Sequence, residues 1–170
     1  MVYSFIIADY DCQVLYSSVF DFADRRCVKE DITVNIVQQI KKEFDFNSSV
    51  TSNIVDGSEN LSIDLETKGI LNVKVMEVQK PTVWHSYSGC LYILVCDSSD
   101  NRILAARTLV ILIRTFRDLL PRISNGISEF VSKANIVSLI VNTFIPSGQL
   151  LFFHNQAIQQ VTKDLQKAVR

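Results

Sequence analysis

The chain has 170 residues and a formal net charge of −1, with 48% of its residues hydrophobic and 21% charged. This length suits one domain with its own core and leaves little room for two. A near-neutral charge argues against a nucleic-acid-binding protein, and no polybasic run marks a site for an anionic membrane surface. Because apolar residues are abundant and the net charge is small, the composition favours association with other chains.

No targeting segment and no membrane-spanning segment are expected. Residues 1–8 are apolar, but they form a short run without a basic lead-in and meet Asp9 directly, unlike a signal peptide. The most apolar stretch, Ile103–Ile113, contains Arg107 and is too short to span a bilayer. We therefore expect the chain in the cytoplasm, with any contact to a membrane being indirect.

The four cysteines are predicted to be reduced thiols that contribute to packing. Their spacing forms no C-x-x-C pair, so neither a zinc site nor any other metal site is predicted. They are Cys12, Cys27, Cys90 and Cys96.

The first part of the chain predicts a β-hairpin followed by a helix. Val2–Ala8 is a continuous apolar run typical of a central strand, and Gln13–Phe20 returns as a second strand after the turn residues 9–11. Asp31 is predicted to cap a helix over residues 32–44. One face of that helix is apolar and should pack on the sheet; it comprises Ile36, Val37, Ile40 and Phe44.

The middle of the chain predicts a flexible loop and then a three-stranded meander. Residues 47–66 are rich in Ser, Asn, Asp and Gly, although the alternation within 61–66 allows a short edge strand. Three strands follow, and Pro81 is expected to end the first of them. They are predicted over residues 70–78, 82–87 and 90–96, and a polar turn follows at 97–101.

The last part of the chain predicts three helices. They are placed at residues 102–120, 127–144 and 157–169, with a break at 146–148. The first is unusual because Ile103–Ile113 is apolar on nearly all sides, whereas a surface helix carries a polar back. We expect the sheet to cover one side of this stretch and a partner chain to cover much of the rest.

The order of elements predicts an α/β fold. Two strands, a helix, three strands and trailing helices fit a five-stranded, mostly antiparallel sheet with helices on both faces. One domain over residues 1–170 accommodates all of them.

Several segments resemble a known family. Tyr87–Tyr92, Asp97–Asn101 and the long helix after them are similar to the small (sigma) subunits of clathrin-type adaptor complexes, which have the longin fold. Val14–Phe20, Pro81–Trp84 and above all Phe144–Phe153 resemble the sigma subunit of the fifth adaptor complex.

The resemblance implies a place in a heterotetramer that sorts membrane cargo. A large zeta-type subunit would be the direct partner, beside beta-type and mu-type subunits, with spatacsin and spastizin as further partners. The location implied is the cytosolic face of late endosomes and lysosomes, and the role implied is endosomal, vesicle-mediated protein transport.

The resemblance also implies a candidate site. Some sigma subunits hold the dileucine motif of cargo tails in an apolar pocket, which by position would involve Ser88, Cys90, Ile113 and Ile123 here. The basic position of such sites corresponds to Val14, which carries no charge. Leu109 joins these residues as a candidate for partner contact. Core or interface packing is the alternative role for all of them.

Catalysis is not predicted. His85 and His154 are the only histidines, and no nucleophile elbow, zinc-protease motif, P-loop or dinucleotide fingerprint is present. We therefore predict no catalytic residue and no cofactor. An alternative class is a longin-type subunit of a small-GTPase regulatory assembly, which would bind a GTPase instead of a solenoid-shaped large chain.

Overall fold

A computed structural model describes residues 1–20, 30–54, 67–120 and 132–169. These residues form five strands and four α-helices. The strands are β1 (Ser4–Asp9), β2 (Val14–Val19), β3 (Lys68–Val75), β4 (Val78–Tyr87) and β5 (Cys90–Val95). The helices are α1 (Glu30–Ile54), α2 (Arg102–Leu119), α3 (Ala134–Phe144) and α4 (Asn155–Val169), with a short 3₁₀ turn at Pro146–Gly148.

The strands form one antiparallel sheet in the order β2-β1-β5-β4-β3. The central strand β5 and its neighbour β1 are almost continuously apolar because helices cover both faces of the sheet. Along β5, Tyr92 and Leu94 face one core, whereas Leu91 and Ile93 face the other. The α/β class with helices on both faces is confirmed.

Tight turns set the register of the sheet. The turn between β4 and β5 consists of Ser88 and Gly89, whose φ angles of 49° and 78° are those that a two-residue hairpin requires. Between β1 and β2, the Asp9 carboxylate accepts hydrogen bonds from the backbone N–H groups of Asp11 and Gln13 at 2.9 and 2.8 Å. The first hairpin therefore agrees with the predicted turn at residues 9–11, and the second turn lies between the strands predicted over 82–87 and 90–96.

Helix α1 covers one face of the sheet. Ile36, Val37 and Ile40 are fully buried against it, as the apolar periodicity predicts. At the end of this face, the Phe44 ring stacks on Tyr10 with 4.7 Å between centroids and meets Trp84 edge-on at 6.2 Å. The helical spacing of the sequence thus identified the inward face correctly.

Several boundaries differ from the predictions. Helix α1 begins at Glu30, so Asp31 lies in its first turn instead of capping it, and the helix continues to Ile54 through the start of the predicted loop at 47–66. Polar composition concealed this continuation of the helix.

The chain turns at Met76 and Glu77, inside the strand predicted over 70–78, and strand β4 passes through Pro81. Residues 78–81 pair with β3, and the ladder to β5 begins only at Thr82. On the β5 side the Pro81 carbonyl accepts a hydrogen bond from the Cys96 N–H at 2.8 Å, and at this end of the ladder the missing proline N–H is tolerated.

Helix α2 covers the other face of the sheet and is capped as the polar turn suggested. The Asn101 side chain accepts hydrogen bonds from the backbone N–H groups of Ile103 and Leu104 at 3.0 and 3.1 Å. Its inward side packs against β4 and β5 and is buried; it includes Ala105, Leu109, Leu112 and Phe116. The Phe116 ring stacks on Phe5 and Tyr92 at 6.3 and 6.1 Å.

Helices α3 and α4 flank α2 and complete this second core. The buried side of α3 consists of Val137, Ile140, Val141 and Phe144, and Leu165 of α4 is buried as well. The N-terminal part of the predicted helix 127–144 and the possible strand at 61–66 lie outside the described residues. Within the described ranges, no helix has the length and apolarity needed to cross a bilayer.

Candidate partner-binding surface

The outer face of α2 carries a stripe of residues that the chain itself leaves open. Its members recur at intervals of three and four residues, so they lie on one side of the helix. We call this set the outer stripe: Ile103, Arg107, Val110, Arg114 and Arg117. Ile103 is 82% exposed, Val110 is half-buried and the three arginines are exposed.

Two of the three arginines lack an acidic partner within the part of the chain that the structure describes. Arg117 lies 3.2 Å from the Asp118 carboxylate, whereas neither Arg107 nor Arg114 forms an ion pair there. The stripe is therefore positively charged, although the whole chain has a net charge of −1. Such an asymmetry attracts acidic groups of a binding partner.

One end of the outer stripe adjoins an exposed aromatic residue. The Arg107 guanidinium lies over the Phe152 ring at 5.0 Å from the centroid and donates a hydrogen bond to the Phe153 carbonyl at 3.1 Å. Phe152 remains 74% exposed. Ile103 lies one turn before Arg107, so the three residues form a surface that we call the α2 patch: Ile103, Arg107 and Phe152.

A groove runs between α2 and the edge of the sheet. It has a volume of about 530 Å³, with an apolar floor and cations on both walls. We call it the α2–β3 groove. Its lining comes from β3 (Lys68, Gly69, Ile70), β4 (Val83, Trp84, His85) and α2 (Ala106, Arg107, Leu109, Val110).

A smaller hollow of about 160 Å³ lies beside the β4–β5 turn. It is lined by His85, Tyr87, Val110, Ile113, Arg114 and Arg117. The sequence analysis named five candidate site residues, and one of them, Ile113, lines this hollow. Ser88 and Cys90 occupy the adjacent turn and the start of β5, and Leu109 lines the neighbouring groove. Ile123 lies outside the described residues.

We expected a partner chain to cover much of the stretch Ile103–Ile113, and the structure corrects this expectation. Leu109 and Ile113 are only 1% and 5% exposed, because the sheet and the flanking helices already cover them. Of the apolar residues in this stretch, Ile103 is the exposed one, while Leu104, Ala106 and Val110 are half-buried. A partner can therefore meet the chain through the outer stripe, whereas Leu109 and Ile113 chiefly stabilise the fold.

Cys90 is a core residue that belongs to the same buried apolar cluster as Leu109 and Ile113. Burial, and to a smaller extent the charge of Asp9, raises the pKa of the Cys90 thiol to about 11. A thiol that stays protonated at neutral pH is a weak nucleophile and a poor metal ligand. Within the described ranges, no three His, Cys, Asp or Glu side chains form a group that could hold a metal ion.

Sequence reasoning missed the arginines because it weighed net charge alone. Arg107 and Arg114 are seven residues apart and Arg117 follows three later, a spacing that places them on one helical face. Arg107 lies within the apolar stretch Ile103–Ile113, and Arg114 and Arg117 follow it. Testing the charged residues for helical periodicity would have found them.

The arrangement of sheet and helices is longin-like, a fold used by small chains of adaptor complexes. A chain of a homology model of the full-length AP-3 complex in a stretched open conformation matches this chain with a TM-score of 0.60 and 12% identity. The match covers 99% of this chain and 95% of the other.

The sequence comparison is more specific than the fold. The family model of AP-5 complex subunit sigma-1 matches residues 1–166. The human AP-5 complex subunit sigma-1 is 32% identical over 89 residues, which are 52% of this chain and 44% of the human protein. The aligned region thus spans less than half the length of this relative. The chain belongs to the AP-5 complex subunit sigma-1 family.

Proposed function

We propose that this chain is the small, non-catalytic sigma subunit of a heterotetrameric adaptor complex that serves endosomal protein sorting. The observation that carries the proposal is the family match over residues 1–166. The complex would act in vesicle-mediated transport on the cytosolic face of late endosomes and lysosomes. The subunit would contribute binding surface and no chemistry of its own.

The proposed direct partner is the large zeta-type subunit, and beta-type and mu-type subunits belong to the same assembly. Spatacsin and spastizin are proposed as associated proteins. The α2 patch supports a direct protein contact, because aromatic residues and arginine are enriched in protein interfaces. Exposing both Ile103 and Phe152 to water is unfavourable, and burying them under a partner would stabilise the complex.

The test is co-purification of the tagged chain with the co-expressed zeta-type subunit. Ile103→Glu and Phe152→Glu each place a charge in the α2 patch and should reduce the recovered zeta-type subunit by about tenfold or more. Because both side chains are exposed, the thermal midpoint of the isolated chain should stay nearly unchanged.

Phe46→Glu provides the matched control. Phe46 is another exposed phenylalanine, at 64%, but it lies on α1, which packs on the opposite face of the sheet. This variant should retain the zeta-type subunit. Equal loss with Phe46→Glu would refute the placement of the interface, and recovery of a small GTPase in place of adaptor chains would refute the adaptor role.

A further inference from the structure

Strand β3 lies at one edge of the sheet that the structure describes, so one side of its backbone faces away from β4. In an antiparallel ladder, residues whose N–H and C=O groups bind the partner strand alternate with residues whose groups point outward. Pro81 has no N–H, so its partner Asn72 belongs to the outward kind, and Ile70 and Lys74 follow at intervals of two. Outward groups of this kind are a template on which another strand can pair.

The side chain of Gln39 on α1 occupies this template at Lys74. Its Nε2 donates a hydrogen bond to the Lys74 carbonyl oxygen at 3.1 Å, and its Oε1 accepts one from the Lys74 N–H at 3.0 Å. A residue of an adjacent antiparallel strand would make the same two bonds. The Gln39 amide therefore takes the position of a neighbouring strand.

Asn35, one helical turn before Gln39, fixes the orientation of this amide. The Asn35 Oδ1 accepts a hydrogen bond from the Gln39 Nε2 at 2.7 Å, which leaves the second N–H of that nitrogen for Lys74. Both N–H groups and the oxygen of the amide thus have partners. Ordering a glutamine side chain costs conformational entropy, and the three hydrogen bonds offset that cost.

The β3 edge is self-complementary. In a two-fold antiparallel pair of β3 strands centred on Asn72, Lys74 of each copy would lie opposite Ile70 of the other. Ile70 is 51% exposed, and Asn72 and Lys74 on the same face are exposed as well, so the pairing would remove apolar surface of Ile70 from water. Because the two-fold axis repeats Gln39, this residue closes both ends of the pairing.

We propose that Gln39 is an edge-blocking residue, which keeps β3 from pairing with the β3 strand of a second copy of this chain. Its amide binds the outward groups of Lys74 within the chain and excludes the strand that would otherwise bind them. When the amide is removed, two copies join their edges with Asn72 opposite Asn72. The inference goes beyond the proposed function and does not rest on it, because it concerns a contact between α1 and β3.

Sedimentation velocity of the full chain over a range of concentrations measures the association. Gln39→Ala should strengthen self-association by about tenfold or more, because it exposes two backbone groups of Lys74 in each copy. Gln38→Ala is the matched control, since Gln38 is the exposed neighbour on α1, and it should leave association unchanged. Asn35→Ala should have an intermediate effect, because it removes only the bond that orients the amide.

A thiol at the two-fold centre tests the geometry of the pairing. Directly opposed residues that exchange hydrogen bonds have Cα atoms about 5.5 Å apart, a separation that a disulfide can bridge. Asn72→Cys combined with Gln39→Ala should therefore give, under mild oxidation, a dimer linked through the two introduced thiols. Asn72→Cys alone should give much less of it. Peptide mapping by mass spectrometry identifies the linked residues.

The proposal is overturned if Gln39→Ala associates no more than the unaltered chain, or if Gln38→Ala associates as strongly. A dimer of the double variant that is not linked through the introduced thiols would also overturn it. Both glutamine variants should keep a native thermal transition, because alanine is the best helix former. Association of Gln39→Ala only with loss of that transition would show aggregation of unfolded chain and refute the blocking role. None of these outcomes involves the zeta-type subunit, so they are separate from failure of the proposed function.

Discussion

The backbone N–H of Val2 donates a hydrogen bond to the carbonyl oxygen of Gly148 at 2.8 Å. This bond joins the first residues of the chain to the turn after α3. Gly148 has a φ of 81°, and a Cβ at this position would lie 2.7 Å from the Phe20 Cβ and 2.9 Å from the Val2 carbonyl oxygen. The turn therefore needs glycine both for its backbone conformation and for the close approach of its neighbours.

Gly148→Ala should destabilise the chain by about 2–4 kcal/mol, since a left-handed residue with a Cβ and overpacking both cost free energy. Gly89→Ala is the matched control, because Gly89 has a similar φ of 78° but no atom within 4 Å of an added Cβ. It should cost about 1 kcal/mol. Urea denaturation measures both, and equal losses would contradict the packing role of Gly148.

Leu109 and Ile103 lie on the same helix but should respond very differently to truncation. Leu109→Ala removes a side chain from the core and should lower the free energy of unfolding by about 2–5 kcal/mol. Ile103→Ala should change it by about 0.5 kcal/mol or less, because that side chain is exposed. Chemical denaturation of the isolated chain distinguishes them. Similar losses would contradict the orientation of α2.

Asn101 should stabilise α2 through its side-chain oxygen. Asn101→Ala removes the acceptor for the N–H groups of Ile103 and Leu104 and should cost about 0.5–2 kcal/mol. Asn101→Ser keeps an acceptor oxygen and should recover most of the loss. Thermal and urea unfolding check both variants. If serine fails to outperform alanine, the capping assignment is incorrect.

Alkaline pH should destabilise the fold through its buried thiols. Burial raises the pKa of Cys90 to about 11 and that of Cys96 to about 12, from an ordinary value of 9.0. Well below pH 9 both thiols are protonated in folded and unfolded chains, so they add no pH dependence there. Above it the unfolded chain loses protons first, and stability therefore falls as pH rises towards 11–12.

The measurement is the thermal midpoint between about pH 7.5 and about pH 10.5. Cys96→Ala should flatten the alkaline decline, because it removes one of the groups that must stay protonated. Cys12→Ala should have a smaller effect, since Cys12 is only partly buried. An unchanged slope in Cys96→Ala would show that the thiol does not contribute to the decline.

Local patterns predicted most of the elements. The period of Ile36, Val37 and Ile40 identified the inward side of α1, and the polar residues before Arg102 located the start of α2. The predicted ends of helices and strands were less accurate where the local composition is not typical of the element that forms. Polar residues extend α1 to Ile54. Pro81 lies within β4 just before the ladder to β5 begins at Thr82, and on that side its carbonyl accepts a hydrogen bond from Cys96.

The candidate site was only partly accessible from the sequence. Ser88, Cys90 and Ile113 were placed near one another by resemblance, and the structure brings Ile113 to a hollow beside the β4–β5 turn. The cationic groove could not be predicted, because Lys68 and Arg107 are far apart in the chain. Only the packing of α2 against the sheet brings their two elements together.

The sequence by itself determined the α/β class, the two-faced sheet and the family, since periodicity and motif spacing are properties of neighbouring residues. Tertiary structure alone decided which apolar residues stay exposed. Whether Leu109 or Ile103 faces solvent depends on which side of α2 the sheet, α3 and α4 cover. That choice arises from contacts between distant segments, so the surface available to a partner emerges only when the chain has folded.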